Sequence, residues 1–208
     1  SSFPQTVEEF LAGQILLINK PLGWTSFDLV KKVKNLIRKE YNLKKIKVGH
    51  AGTLDPLATG LLIVCIGKFT KRISEMQEQA KVYTGEITLG GTTPSYDLET
   101  KIDNSFPTKH IDKKLIQETT SQFIGEIDQK PPIFSALKRD GERLYKKARR
   151  GENFKIESRK VNVAYFNIMR FENPKVIFEI KCSKGTYIRS IANDFGHALD
   201  SGAHLSKL

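Results

Sequence analysis

The sequence predicts an α+β fold built on a mixed, mainly antiparallel sheet flanked by helices. Three observations predict it. Apolar or alternating runs of strand length recur at residues 15–18, 61–66, 81–89, 161–169 and 176–182. Other stretches carry apolar residues at helical spacing, the clearest lying near the two ends of the chain. Strands and helices are interspersed without the strict alternation of a doubly wound parallel sheet. With no repeat, low-complexity tract or Pro/Gly-rich linker, residues 1–208 are expected to form a single domain of ordinary size.

The elements follow in order. Residues 1–10 carry Glu8 and Glu9 and no basic stretch before an apolar one, so they do not read as a signal peptide. Residues 15–18 (ILLI) form a continuous apolar run, read as a buried strand, which enters the turn Asn19-Lys20-Pro21-Leu22-Gly23. Thr25 and Asp28 resemble a capping box that opens a helix reaching about Lys39. Its apolar set is Phe27, Val30, Val33, Leu36 and Ile37. Its outer face, with Lys31, Lys32, Lys34, Arg38 and Lys39, reads as solvated. Residues 49–60 contain Gly49, Gly52, Gly60 and Pro56, which exclude a regular helix, and Pro56 biases Asp55 away from the right-handed helical region. Asp55 is therefore expected on a shaped loop leading into strand 61–66. In residues 81–89, Tyr83, Gly85, Ile87 and Leu89 alternate with Thr84, Glu86 and Thr88, placing Tyr83 on the less polar face. Ile111, Leu115, Ile116, Thr119 and Phe123 predict a helix ending at Gly125. After two further strands, Ile188, Ile191, Ala192, Phe195, Ala198 and Leu199 predict a last helix with Gly202 beyond its end.

Charge narrows the partners. Thirty-four Lys and Arg stand against 23 acids, a formal net charge of +11, which favours a polyanion bound through phosphate contacts. No basic amphipathic helix with bulky aromatics supports a membrane surface, and the longest apolar run, 61–66, is too short to span a bilayer. Cys65 and Cys182 both lie in apolar runs; a disulfide framework or zinc site would need more cysteines at closer spacing, so they read as reduced core thiols of a cytoplasmic protein.

Three features could carry chemistry. The loop 49–60 offers a carboxylate, Asp55, and an imidazole, His50; spacing leaves open whether Asp55 is a nucleophile, base or metal ligand or the cap of an Asx-turn. Arg189 falls in the first turn of the last helix, where the macrodipole disfavours a cation by a few tenths to about 1 kcal/mol. It is either a group paired with a carboxylate or phosphate, or a solvated arginine that tolerates the cost. Between Lys138 and Arg150 seven cations stand against two acids, interleaved with Leu144 and Tyr145, either an RNA-contacting segment or a surface hairpin.

Together these stretches resemble the TruB family of tRNA pseudouridine synthases. The resemblance is carried by Gly52-Thr53-Leu54-Asp55-Pro56-Leu57-Ala58-Thr59-Gly60, by Asn19-Lys20-Pro21, by Lys81-Val82-Tyr83, by Pro131-Pro132-Ile133-Phe134-Ser135-Ala136-Leu137-Lys138 and by Lys184-Gly185-Thr186-Tyr187-Ile188-Arg189. It implies the pseudouridine synthase fold and the isomerisation of a T-loop uridine, tRNA position 55. It implies Asp55 as catalytic nucleophile, Arg189 as its cationic partner, and Tyr83 as the tyrosine that stacks on a flipped-out base and is implicated in proton removal at C5. His50, Lys20, Tyr187, Arg149 and Lys138 are implied to bind substrate, with 131–151 as an RNA-binding insertion. The implied partner is the T-stem-loop of tRNA, without guide RNA, membrane, metal or cofactor, and the implied state is a monomer. The chain departs from the family pattern at Thr100, where glycine is usual, and at Phe134, where tyrosine is usual. It ends at Leu208 where the family continues into an arginine-containing run, so a C-terminal PUA-type domain is expected to be absent or truncated. Two rivals share the basic surface: a non-catalytic RNA-binding module and a guide-dependent synthase. A metal-dependent hydrolase using Asp55 and His50 lacks a second ligand cluster in the sequence.

Overall fold

The computed structural model describes residues 4–208, whose contacts cluster into two compact units, Ser1–Gln79 and Ala80–Leu208. Each unit has its own hydrophobic core.

In the first unit, α1 (Val7–Ala12) precedes β1 (Gln14–Lys20), α2 (Ser26–Glu40), β2 (Val48–His50), β3 (Gly60–Ile66), a 3₁₀ turn (Gly67–Arg72) and α3 (Ile73–Gln77). The three strands form an antiparallel sheet in the order β1-β3-β2, with Leu17 opposite Ile63 and His50 opposite Val64. Alternation then sorts the side chains: Leu62, Val64 and Ile66 join Leu29 and Ile37 of α2 in the core, with Leu16 and Ile18 packed against it. Two expectations are corrected here. The run 15–18 is buried on one face only, since Leu17 is 68% exposed. The buried stripe of α2 is Ser26, Leu29, Val30 and Ile37, while Phe27 is 70% exposed and Leu36 55%. At about 100° per residue Phe27 stands about 60° from Val30 and about 80° from Ile37, at the border of the buried stripe, where apolar residue type alone does not decide which side is covered. Thr25 caps α2, its hydroxyl accepting from the Asp28 N–H while the Asp28 carboxylate accepts from the Thr25 N–H, as the capping box predicts.

The second unit comprises β4 (Lys81–Leu89), the short pair β5 (Gly91–Thr92) and β6 (Asn104–Ser105), α4 (Lys113–Thr120), β7 (Gly125–Gln129), the short hairpin β8 (Lys138–Arg139) and β9 (Glu142–Arg143), α5 (Leu144–Arg149), β10 (Arg159–Glu172), β11 (Lys175–Cys182), α6 (Ile188–Ala198) and β12 (Ala203–Lys207). Its main sheet is antiparallel throughout, in the order β12-β4-β11-β10-β7. The apolar stripe of α6, with Ile191, Ala192 and Phe195, shares a core with Ile87, Phe166, Phe178 and Ile180 of the sheet. Phe166 and Phe195 lie 5.2 Å apart between ring centres. The helix predicted from Ile111 begins at Lys113, after Asp112 caps the Leu115 N–H, and closes in a 3₁₀ turn, Ser121–Phe123, before Gly125. Glu86, assigned to the polar face of β4, is 6% exposed because it accepts a hydrogen bond from Ser206 of β12 at 2.8 Å. Both cysteines are buried and free. No helix among the described residues is long and apolar enough to cross a membrane.

Candidate active site

The loop between β2 and β3 is shaped first by its glycines. Gly52 and Gly60 adopt φ of +122° and +117°, which L side chains rarely reach. Between them the Ala58 N–H donates to the Asp55 carbonyl at 2.9 Å, closing a turn around Pro56. Both neighbours of Asp55 are then tied down, one to the first turn of α2 and one to the turn before it. The Leu54 N–H donates to the Ser26 hydroxyl at 2.9 Å, and that hydroxyl lies 3.3 Å from the Leu54 carbonyl. The Pro56 carbonyl accepts from the Gly23 N–H at 2.7 Å. Asp55 is therefore half-buried on a backbone fixed on either side.

Lys20 completes this arrangement. Its side chain is fully buried, and its ammonium donates to the carbonyls of Pro21 at 3.0 Å, Trp24 at 2.5 Å and Pro56 at 3.4 Å. Burial pulls its pKa below the ordinary lysine value, opposed by the carboxylates of Asp55 and Asp28. The resemblance assigns Lys20 to the substrate; here its three N–H donors meet backbone carbonyls, and it holds the 21–24 turn against the Asp55 loop. His50 donates from Nδ1 to the Gly52 carbonyl at 2.8 Å, which fixes the proton on Nδ1. Its burial lowers its pKa, so the ring is neutral near pH 7, with Nε2 as an acceptor.

The second unit supplies the remaining candidates. Tyr83 lies in β4 opposite Ile180 and packs against the core, on the face the alternation predicts. Arg189 lies in the first turn of α6 at 4% exposure, which excludes the solvated reading of that arginine. Its Nη1 donates to the Phe134 carbonyl at 2.7 Å, and its guanidinium carbon lies 6.0 Å from the Tyr187 ring centre. The Tyr187 backbone is held by the Gln129 side chain, which donates to its carbonyl at 3.1 Å and accepts from its N–H at 2.8 Å. Ser190 donates to the Lys130 carbonyl at 2.6 Å. The 129–135 stretch is thus bound to the N-terminal end of α6.

The basic segment does contain a hairpin, β8 and β9. Asp140 and Gly141 take positive φ at its tip, the geometry of a two-residue hairpin turn. Lys138 is exposed on it and lines a cavity of about 370 Å³ with Arg139, Lys155 and Arg159. Several of the segment's other cations are matched by acids. Lys147 meets Asp140 at 3.0 Å, Arg149 meets Glu99 at 2.8 Å, and Arg150 meets Glu142 at 2.6 Å and also Glu152.

Sequence reasoning missed Ser26, Gln129 and Glu99. Ser26 had a local signal, because the capping box places it at the first helical position beside a turn. Gln129 and Glu99 act on partners 58 and 50 residues away, which no local pattern encodes. Among the described residues no group of three or more His, Cys, Asp or Glu could hold a metal ion.

The family pattern described as TruB family pseudouridylate synthase (N terminal domain) matches residues 38–188. The chain belongs to the TruB family. Within it, the chain is 62% identical over 204 residues to tRNA pseudouridine synthase B of Flavobacterium johnsoniae, covering 98% of this chain and 89% of that one. It is 51% identical over 197 residues to the protein of the same name from Parabacteroides distasonis, covering 95% and 84%. Among solved structures it resembles a chain of a Cbf5-Nop10-Gar1 complex, with TM-score 0.70, 29% identity and coverage of 98% of this chain and 49% of that one. It also resembles a chain of an H/ACA RNP bound to a substrate RNA containing 2'-deoxyuridine, at TM-score 0.67, 26% identity and coverage of 98% and 48%. The TruB assignment makes the chain an isomerase of the pseudouridine synthase fold.

Proposed function

We propose that this chain converts the T-loop uridine at tRNA position 55 to pseudouridine, with Asp55 as nucleophile and the target base turned out of its stack. The observation that carries the reading is the Asp55 loop, its backbone tied on one side to the first turn of α2 and on the other to the turn before it. The relatives at 62% and 51% identity are named for action on tRNA, which supports that substrate over a guide-selected one. The chain is proposed to act alone, as a cytoplasmic monomer.

The reaction breaks the N1–C1′ bond of uridine and forms a C5–C1′ bond; the proton on C5 leaves and N1 gains one. It is redox-neutral and imports no group. Turning the base out costs a few kcal/mol, and stacking on an aromatic ring returns roughly 1–3 kcal/mol, the role assigned to Tyr83. Asp55 provides the negative charge that promotes cleavage of the glycosidic bond. Arg189, a buried cation, is assigned the task of keeping that carboxylate ionised and oriented. Tyr187 is assigned to the base pocket, and His50, Lys138 and Arg149 to the RNA around it. Lys20 acts through the loop it holds.

A tRNA transcript tritiated at C5 of uridine tests the reading. The expected result is release of one tritium per tRNA without guide RNA, abolished when the T-loop uridine is replaced by cytidine. Release that requires an added guide RNA, that persists after the replacement, or that never occurs would overturn it.

A further inference from the structure

Helix α2 carries Phe27, Lys31, Lys34 and Arg38 at i, i+4, i+7 and i+11. That spacing puts the four in one row along the helix over roughly 16 Å, across the helix from the buried Leu29. Phe27 is 70% exposed, although a phenyl ring normally gains by leaving water. None of the three cations lies within salt-bridge distance of a carboxylate among the described residues, and the carboxylate of Asp28, the acid nearest Lys31 in sequence, accepts from the Thr25 N–H at 3.0 Å. The 138–150 segment contrasts with this face, because there Lys147, Arg149 and Arg150 are matched by acids. The face also has a defined position relative to the chemistry. Ser26, the neighbour of Phe27, is hydrogen-bonded to Leu54, the neighbour of Asp55.

We propose that this face of α2 is a second RNA-binding surface. Phe27 stacks on a nucleobase flanking the target uridine, and Lys31, Lys34 and Arg38 bind phosphates of the backbone leading away from it. The occupant follows from the chemistry: an exposed ring followed by unmatched cations in line suits a strand that presents a base and then successive phosphates. An apolar or acidic protein surface would leave either the cations or the ring without a counterpart. The inference rests on the reading that the chain acts on RNA, and extends its interface beyond residues 131–151.

The test measures binding of a fluorescently labelled, unmodified tRNA transcript to the full chain over a range of salt concentrations. The triple variant Lys31→Gln, Lys34→Gln, Arg38→Gln is compared with a control of equal charge change, Lys101→Gln, Lys109→Gln, Lys113→Gln. Losing three phosphate contacts should reduce the slope of log K against log salt by about two to three in the α2 variant, while the control keeps the wild-type slope. Phe27→Ala should lose about tenfold in affinity and Phe27→Trp should restore it. An α2 variant indistinguishable from the control, or Phe27→Ala binding like the wild type, overturns the proposal. Tritium release by the wild type separates the two readings. Release together with unaltered binding by the α2 variants defeats this inference alone; α2-dependent binding by a wild type that releases no tritium defeats the proposed function and leaves the surface standing.

Discussion

Lys20 has three N–H donors, and the fold surrounds them with the carbonyls of Pro21, Trp24 and Pro56. Lys20→Met keeps much of the volume and removes every donor, leaving buried acceptors unsatisfied. We expect a loss of about 2–3 kcal/mol in urea unfolding and a fall in turnover under conditions where the variant is still folded. Unchanged stability would mean that these carbonyls find other donors. For Arg189→Ala the expected signature is a loss of turnover of roughly a hundredfold with tRNA affinity within a few-fold, because the role proposed for it is electrostatic and confined to the reacting centre. Equal losses in turnover and affinity would recast Arg189 as a phosphate clamp. His50 makes a pH prediction. Its folded pKa lies below the ordinary 6.5, so the unfolded chain binds more protons in the window beneath that value. The stability it contributes is fully present above about pH 6.5 and is lost as pH falls towards the folded pKa. His50→Gln should therefore lose stability less steeply than the wild type between pH 7 and 5; identical slopes would contradict the shift. The shaped loop around Asp55 was legible from its glycines and Pro56, and Arg189 stood out as a cation at a helix start, whereas spacing alone left the part played by Asp55 open. The enclosure of Lys20 was not legible, because a lysine after an apolar run reads the same whether its ammonium meets water or carbonyls.

The element that governs the site is α2, since its first turn holds the Asp55 loop through Ser26 and the turn before it does so through Gly23. Thr25→Ala removes the cap and should cost about 1 kcal/mol. It should also reduce turnover more than Asp112→Ala, which removes the corresponding cap of α4 far from the loop in sequence. Thermal unfolding and tritium release measured on both variants check this; equal activity at equal stability loss would show that the cap does not position the loop. The cap itself was readable from Thr25 and Asp28. The faces were less so. Phe27, Ile15 and Leu17 are apolar by type yet exposed, and residue type records hydrophobicity rather than direction. The strands Gly125–Gln129 and Ala203–Lys207 escaped notice because they are short and partly polar, and exist through pairing with β10 and β4.

Across the whole molecule the formal charge of +11 is unevenly committed. Part of the charge of the 138–150 segment is matched by Asp140, Glu142, Glu152 and Glu99, whereas Lys31, Lys34 and Arg38 of α2 meet no carboxylate within salt-bridge distance among the described residues. Composition foretold a polyanionic partner but could not show which cations are available, because Glu99 reaches Arg149 from 50 residues away. The antiparallel main sheet was legible from its alternating runs; the division of contacts into two units was not, because no linker composition marks the boundary near Gln79. The proposed chemistry depends on one carboxylate. The most direct measurement is tritium release from C5-labelled, unmodified tRNA by the wild type and by Asp55→Asn, with tRNA affinity measured on both. The expected result is release by the wild type and none above background by the variant, at affinities within a few-fold. Substantial release by the purified Asp55→Asn protein would contradict it.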